Sequence, residues 1–223
     1  QIIDAKEEAK LALKGCAAVL NPLVPYAIVF DIGGGSTEVI LVELTKGNQK
    51  KPGYVVPFNI IDSISIPYGV VTASEATGGA VKRVDEHKTL HEHIKVGLED
   101  FIDSNNILDL ISRGDLQMAG SSGTITTLAA FHLNLEQYDR KIIDGMSITR
   151  QEIDNVIERI FNMDQRMKLE QTNIGFGRVD YVMTGSVILQ ALCEAIPVEM
   201  LRIADRGVRE GILIDLMLDI IRF

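Results

Sequence analysis

The chain has 223 residues, 46% of them hydrophobic and 24% charged, which suits one large or two small globular domains with a sizeable core. A formal net charge of −9 argues against a protein that coats nucleic acid or anionic lipid. It does not exclude a phosphorylated ligand held locally by aimed N–H groups and a metal. In chain order, Asp4 followed by Glu7 is a capping-box pattern opening a helix to about Leu20, closed by Asn21-Pro22 and Pro25. Ala27 to Phe30 and Glu38 to Leu44 read as two strands around a glycine turn. Lys46 to Gly53 is a polar turn, and Tyr54 to Ile66 alternates as a third strand ended by Pro67. Gly69 to Ala76 reads as a short helix and Thr77-Gly78-Gly79 as a loop. Val81 to Ser104 carries Val84, Leu90, Ile94, Leu98 and Phe101 at helical spacing. Leu116 to Ala119 is a fourth strand, and Thr124 to Leu133 a helix. Ser147-Ile148-Thr149 starts a further helix, with Thr149 capping against Glu152. Arg178 to Ile196 is a long apolar helix, Val198 to Ala204 a last strand and Gly207 to Ile221 a last helix. This order predicts an α/β domain with a mixed five-stranded sheet and helices on both faces. Its first three strands form an antiparallel meander and the later two join through parallel crossovers.

The glycine turn is Asp31-Ile32-Gly33-Gly34-Gly35-Ser36-Thr37-Glu38. Three consecutive glycines remove every Cβ, so backbone N–H groups can crowd against an anion, and Ser36 and Thr37 add hydroxyls. Asp31 and Glu38 flank the turn with carboxylates that suit a hard cation such as Mg²⁺. A second loop, Gly120-Ser121-Ser122-Gly123-Thr124, joins a strand to a helix, where free N–H groups and the positive dipole end make an anion site. If the two leading strands are parallel, both loops emerge at one sheet edge, the place where open α/β sheets bind ligands. Asp205 and Arg206, ending the last strand, then reach the same edge, Asp205 as a helix cap and Arg206 as a phosphate contact. Glu7 completes the first cap and Glu8, read from spacing alone, is solvated. His87, His91 and His93 read as a polar helix face rather than a metal site. Cys16 and Cys193 stand far apart and read as buried free thiols of a reducing compartment. With no signal peptide and no membrane-length apolar run, a cytoplasmic protein is expected.

Taken together, Glu7-Glu8-Ala9, the Asp31–Glu38 hairpin, Gly120-Ser-Ser-Gly-Thr-Ile125 and Asp205-Arg-Gly-Val-Arg-Glu-Gly211 occur in an order that resembles the exopolyphosphatase and guanosine pentaphosphate phosphohydrolase (Ppx/GppA) family over almost the whole chain. The resemblance implies an actin-like fold (ribonuclease H-like, ASKHA) of two domains with the active site between them. It implies Mg²⁺-dependent hydrolysis of the terminal phosphate of polyphosphate, or of the 5′ γ-phosphate of pppGpp. It also makes Glu8 the catalytic carboxylate, Asp31 and Glu38 the metal positions, and Gly33 to Thr37 with Gly120 to Thr124 the phosphate loops. The family's earlier motif, Asp-x-Gly-(Ser/Thr)-Asn-Ser, does not occur here, and the chain opens on Gln1-Ile2-Ile3. The expectation is therefore a second, C-terminal actin-like domain over residues 1–223 whose N-terminal domain is missing. Such a fragment is expected to bind phosphate or Mg²⁺ weakly without turnover, and in its whole form to dimerise in some members. The rival readings are an ATP-dependent kinase of the same fold and a non-catalytic nucleotide-sensing module. For a long polyanion, Lys82, Arg83, Arg178, Arg202 and Arg206 are candidate contacts.

Overall fold

A computed structural model describes residues 5–45, 57–76, 88–164 and 179–221. Helix α1 (Ala5–Cys16) runs into a 3₁₀ turn (Ala17–Val19). Strands β1 (Tyr26–Ile32), β2 (Thr37–Leu44) and β3 (Phe58–Ile66) follow, then helices α2 (Val70–Ala76), α3 (Lys88–Ser104) and α4 (Ile107–Ser112). Strand β4 (Leu116–Ser121) leads into α5 (Gly123–His132) and α6 (Arg140–Ile143). The rest is β5 (Ser147–Thr149), α7 (Arg150–Asn162), α8 (Val179–Ala195), β6 (Met200–Ala204) and α9 (Val208–Ile221). The expected Lys46–Gly53 turn, the 77–79 loop, the Asp4 cap, His87 and the candidate cations Lys82, Arg83 and Arg178 lie outside the described residues.

The sheet has the order β3-β2-β1-β4-β6-β5. The meander β1-β2-β3 is antiparallel, as expected, and β4 and β6 run parallel to β1. This is the expected actin-like arrangement with one strand more: six strands rather than five. The addition is Ser147–Thr149, expected to begin a helix, which instead pairs antiparallel with Met200–Arg202 and buries Ile148. Thr149 still caps the next helix. Its hydroxyl accepts from the Glu152 N–H, and the Glu152 carboxylate accepts from the Thr149 N–H. One residue thus ends an edge strand and starts α7. Strand β4 runs past the expected Ala119 to Ser121, because Gly120 and Ser121 still pair with Phe30 and Asp31 on one side and with Ile203 and Ala204 on the other.

Strand β1 reads as a near-continuous apolar run because it is central and covered on both faces. Ile28, Phe30 and Ile32 join the larger core, built with α2 to α8, while Ala27 and Val29 face a second core with Leu13, Cys16 and Val19. Strand β3, an edge, leaves most of its residues exposed and carries Asp62, Ser63 and Ser65. Both cysteines are free and buried, and burial pushes each thiol up to about 12. No helix among the described residues is long and apolar enough to cross a membrane.

Helix α1 lies against α9 with backbone touching backbone. A Cβ on Gly15 would collide with the Gly207 carbonyl, and one on Gly211 with the Leu11 carbonyl. Lys14 and Asp215 form an ion pair across the same seam. Gly211→Ala is expected to destabilise the fold by about 1–3 kcal/mol, since neither backbone can yield as a side chain could. Denaturant unfolding checks this, and an unchanged midpoint contradicts the crossing.

Candidate phosphate site

Gly33 closes the β1–β2 turn by donating its N–H to the Ser36 carbonyl at 2.9 Å. The turn then leans on the start of α2. Val70 N–H donates to the Gly33 carbonyl at 2.9 Å, and Val71 and Thr72 N–H to the Gly34 carbonyl at 2.9 and 3.2 Å. The Thr72 hydroxyl donates to the Gly35 carbonyl at 2.9 Å. Gly69 lets the segments meet, since a Cβ there would strike the backbone of Gly33 and Gly34. Glycine carbonyls are thus occupied from behind. The N–H groups of Gly34 and Gly35, both exposed, donate to no acceptor among the described residues. Exposed backbone donors without an acceptor, beside carbonyls already taken, make this turn a candidate anion site.

The hydroxyls of this turn divide. Thr37 is fully buried and donates to the Tyr68 carbonyl at 2.7 Å, so it anchors the turn to the segment after β3. Ser36 donates to Glu38 Oε1 at 2.5 Å, and Ser65 reaches the same oxygen at 3.2 Å.

The strand register sets out the charges. Asp31 lies directly opposite Glu38 on β2 and beside Ser121 on β4, while Glu38 lies opposite Ser65 on β3. A row Ser65-Glu38-Asp31-Ser121 therefore crosses the sheet, with its side chains on the α1 face. Cross-strand partners have Cβ atoms roughly 4.5–5.5 Å apart, and two carboxylates placed so repel each other. A hard divalent cation relieves that repulsion, and Asp31 and Glu38 are the residues that could hold it. No group of three His, Cys, Asp or Glu side chains with metal-binding geometry occurs among the described residues. A cation here would complete its shell with water and ligand oxygens, as Mg²⁺ commonly does.

The second loop sits beside the first because β4 is parallel to β1. Ser122 caps α5, its hydroxyl oxygen accepting from the Ile125 N–H at 3.2 Å. Gly123 is exposed with open space around it, and the N–H groups of Gly123 and Thr124 head the helix, where no preceding turn supplies an acceptor. Two other positions serve packing. Gly120 is buried where a Cβ would strike Phe30 and Ile125, and the Thr124 side chain is buried against Gly185. Ser121 donates its hydroxyl to the Arg206 carbonyl at 2.7 Å, as does the Cys16 thiol at 3.2 Å.

The end of β6 reaches this edge, as expected, with roles redistributed. Asp205 does not cap α9. Its carboxylate accepts from the Tyr138 hydroxyl at 2.6 Å and pairs with Arg140 at 3.5 Å. Glu210 takes the capping part, accepting from the Gly207 N–H at 2.9 Å and from Arg140 at 2.8 Å. Burial pushes the Glu210 carboxyl up, but those hydrogen bonds outweigh it and hold the group below the usual range. The Arg206 guanidinium turns to Asp144, 2.7 Å from Nε to Oδ2. Among the histidines, His91 pairs with Glu92 and Glu194, and His93 stacks on Tyr68, which fits the polar-face reading. Helix α1, which carries Glu8, ends with Cys16 beside Ser121 and Asp31. The Glu8 side chain lies outside the described residues.

Sequence reasoning missed Ser65, Gly69, Thr72, Tyr138 and Asp144. A glycine just after Pro67 was the available sign for Gly69. No local pattern marked the others, whose partners lie far off in the chain.

Comparison with known proteins agrees with the geometry. The chain is 23% identical to exopolyphosphatase 2 of Mycobacterium tuberculosis over 97% of its own length and 63% of that protein. It is 25% identical to a putative exopolyphosphatase of Haemophilus influenzae over 96% of its own length and 59% of that protein. Among solved structures, an Aquifex aeolicus Ppx/GppA phosphatase superposes with a TM-score of 0.74 at 24% identity, covering 96% of this chain and 64% of that one. The chain thus spans a little under two thirds of these relatives. The model of the Ppx/GppA phosphatase family matches residues 1–220, and the chain belongs to that family.

Proposed function

We propose that this chain supplies one wall of a phosphohydrolase site that removes the terminal phosphoryl group of inorganic polyphosphate, or the 5′ γ-phosphoryl of pppGpp. The observation that carries the reading is the carboxylate row lying between two sets of backbone N–H donors that have no acceptor among the described residues. Phosphoryl transfer asks for charge placement more than covalent help, and this edge offers donors and carboxylates side by side. Gly34 and Gly35 bind phosphate oxygens from one side, and Gly123 and Thr124 from the other. Asp31 and Glu38 would hold Mg²⁺, which when bound would offset charge on those oxygens. Glu8 orients the attacking water and takes its proton, while the remaining phosphate departs as the leaving group. The residues that grip the far end of the substrate belong to an opposite wall, so the 223 residues alone bind phosphate without turnover.

Glu8→Gln in the full-length protein is expected to lower turnover by about 10²–10⁴-fold with an unchanged unfolding midpoint. Phosphate release from polyphosphate, pppGpp and ATP measures this, and near-normal rates sink the assignment of Glu8. Asp31→Asn and Glu38→Gln should each raise the Mg²⁺ concentration needed for half-maximal rate. An unaltered Mg²⁺ requirement in both removes the metal role of the pair. Robust hydrolysis by the isolated chain contradicts the proposed need for a second wall.

A further inference from the structure

Outside the two loops, the described residues border an open pocket of about 370 Å³ between the 3₁₀ turn with the residues after it and the β5–β6 edge. Val19, Asn21, Asp144, Gly145, Arg202 and Arg206 are among its lining residues. It includes neither the carboxylate row nor any residue of the glycine turn. We propose that this pocket is a second anion site, which takes orthophosphate or the phosphate group of a small molecule. The proposal does not depend on the hydrolase reading.

Charge carries the argument first. In a chain of net charge −9, two arginines share one pocket with a single carboxylate, a local balance of +1. That carboxylate is already committed. Asp144 Oδ1 accepts from the Asp205 N–H at 3.2 Å, and Oδ2 accepts from Arg206 Nε at 2.7 Å. The pairing orients the Arg206 guanidinium while leaving its terminal nitrogens without an acceptor among the described residues. Arg202 donates from Nη1 to the Val19 carbonyl at 3.2 Å and has no acidic partner among the described residues. That bond accounts for one of its five N–H donors.

Geometry is the second part. Arg202 is fixed on β6, opposite Ser147 on β5, and Arg206 follows the end of the same strand. Arg202 is thus held by strand pairing and by its bond to the Val19 carbonyl, and Arg206 by its bond to Asp144, each with donors left over. Planar, pre-oriented donors of this kind match the oxygens of a phosphate. The volume falls in the range of small-molecule pockets, large enough for a phosphate with a small organic group attached.

The test is a titration of the 223-residue chain with sodium phosphate at constant ionic strength, followed by backbone amide NMR. Saturable shifts at the Ala18, Leu20 and Gly145 amides are expected. Arg202→Gln, which removes the charge and the guanidinium fork, should weaken phosphate at these amides by about tenfold or more. Arg202→Lys, which keeps the charge but loses the planar fork, should weaken binding less than Arg202→Gln does. Ala18 is exposed, so Ala18→Glu places a carboxylate at the rim without disturbing the core and should abolish the shifts. Amides of Gly34, Gly35 and Gly123 report the two loops separately, so failure of one site is distinguished from failure of the other. Shifts at the pocket amides no larger than those from chloride overturn the proposal. So does undiminished phosphate affinity in both Arg202→Gln and Ala18→Glu.

Discussion

The site rests on the hydrogen bonds that the first residues of α2 make to the carbonyls of Gly33 and Gly34. A bare glycine turn presents donors and acceptors alike and has no preferred charge. Once α2 takes the carbonyls, what the turn offers to solvent is positive. The arrangement serves α2 as well, because the opening N–H groups of a helix have no partner within it. Gly69 makes the approach possible and Thr37 pins the turn to the Tyr68 carbonyl. The Gly33–Ser36 bond sets how the turn closes, and the register beyond it brings Asp31 opposite Glu38. The α2 contacts therefore govern the sign of the turn, and the Gly33–Ser36 bond with the strand register governs the placing of the neighbouring acids.

In an acidic chain, a candidate anion site depends on the direction of its donors rather than on net charge. Here the donors are backbone dipoles aimed at one edge, while acidic groups near that edge are occupied. Glu210 is held by Arg140 and the Gly207 N–H, and Asp205 by Tyr138 and Arg140. These contacts tie the α5–α6 connection to the turn before α9, so the edge is braced from a part of the chain that carries no phosphate motif. The electrostatic field at the site is thus shaped as much by which carboxylates are paired as by which donors are free.

Much of the fold was legible because burial leaves a local trace. The apolar run of β1 and the spacing of α3 each follow from which faces are covered, whereas β3 alternates in sequence but leaves most of its residues exposed. The two loops and their shared edge were legible for a topological reason, since parallel strands place their ends together. Strand β5 was not, because its pairing with β6 joins segments distant in sequence, and only the Thr149 capping box is local. The fates of individual hydroxyls were hidden too. Thr37 and Thr124 sit in glycine-rich loops and look like ligand donors, yet one is spent on the Tyr68 carbonyl and the other is buried against Gly185. Arg206 shows the same limit, because its orientation depends on Asp144, which no sequence spacing connects to it.

The glycine contacts between α1 and the segment that carries α9 bear on how these two helices can move. Where two helices meet through side chains, rotamer changes can absorb small slips. Where Gly15 meets Gly207 and Gly211 meets Leu11, no such cushion exists. The two rods are coupled as a single lever, free to tilt together but resistant to sliding past one another. Any shift of the last helix is then delivered through main-chain contact to α1, and so to Cys16, which lies beside Ser121 and Asp31.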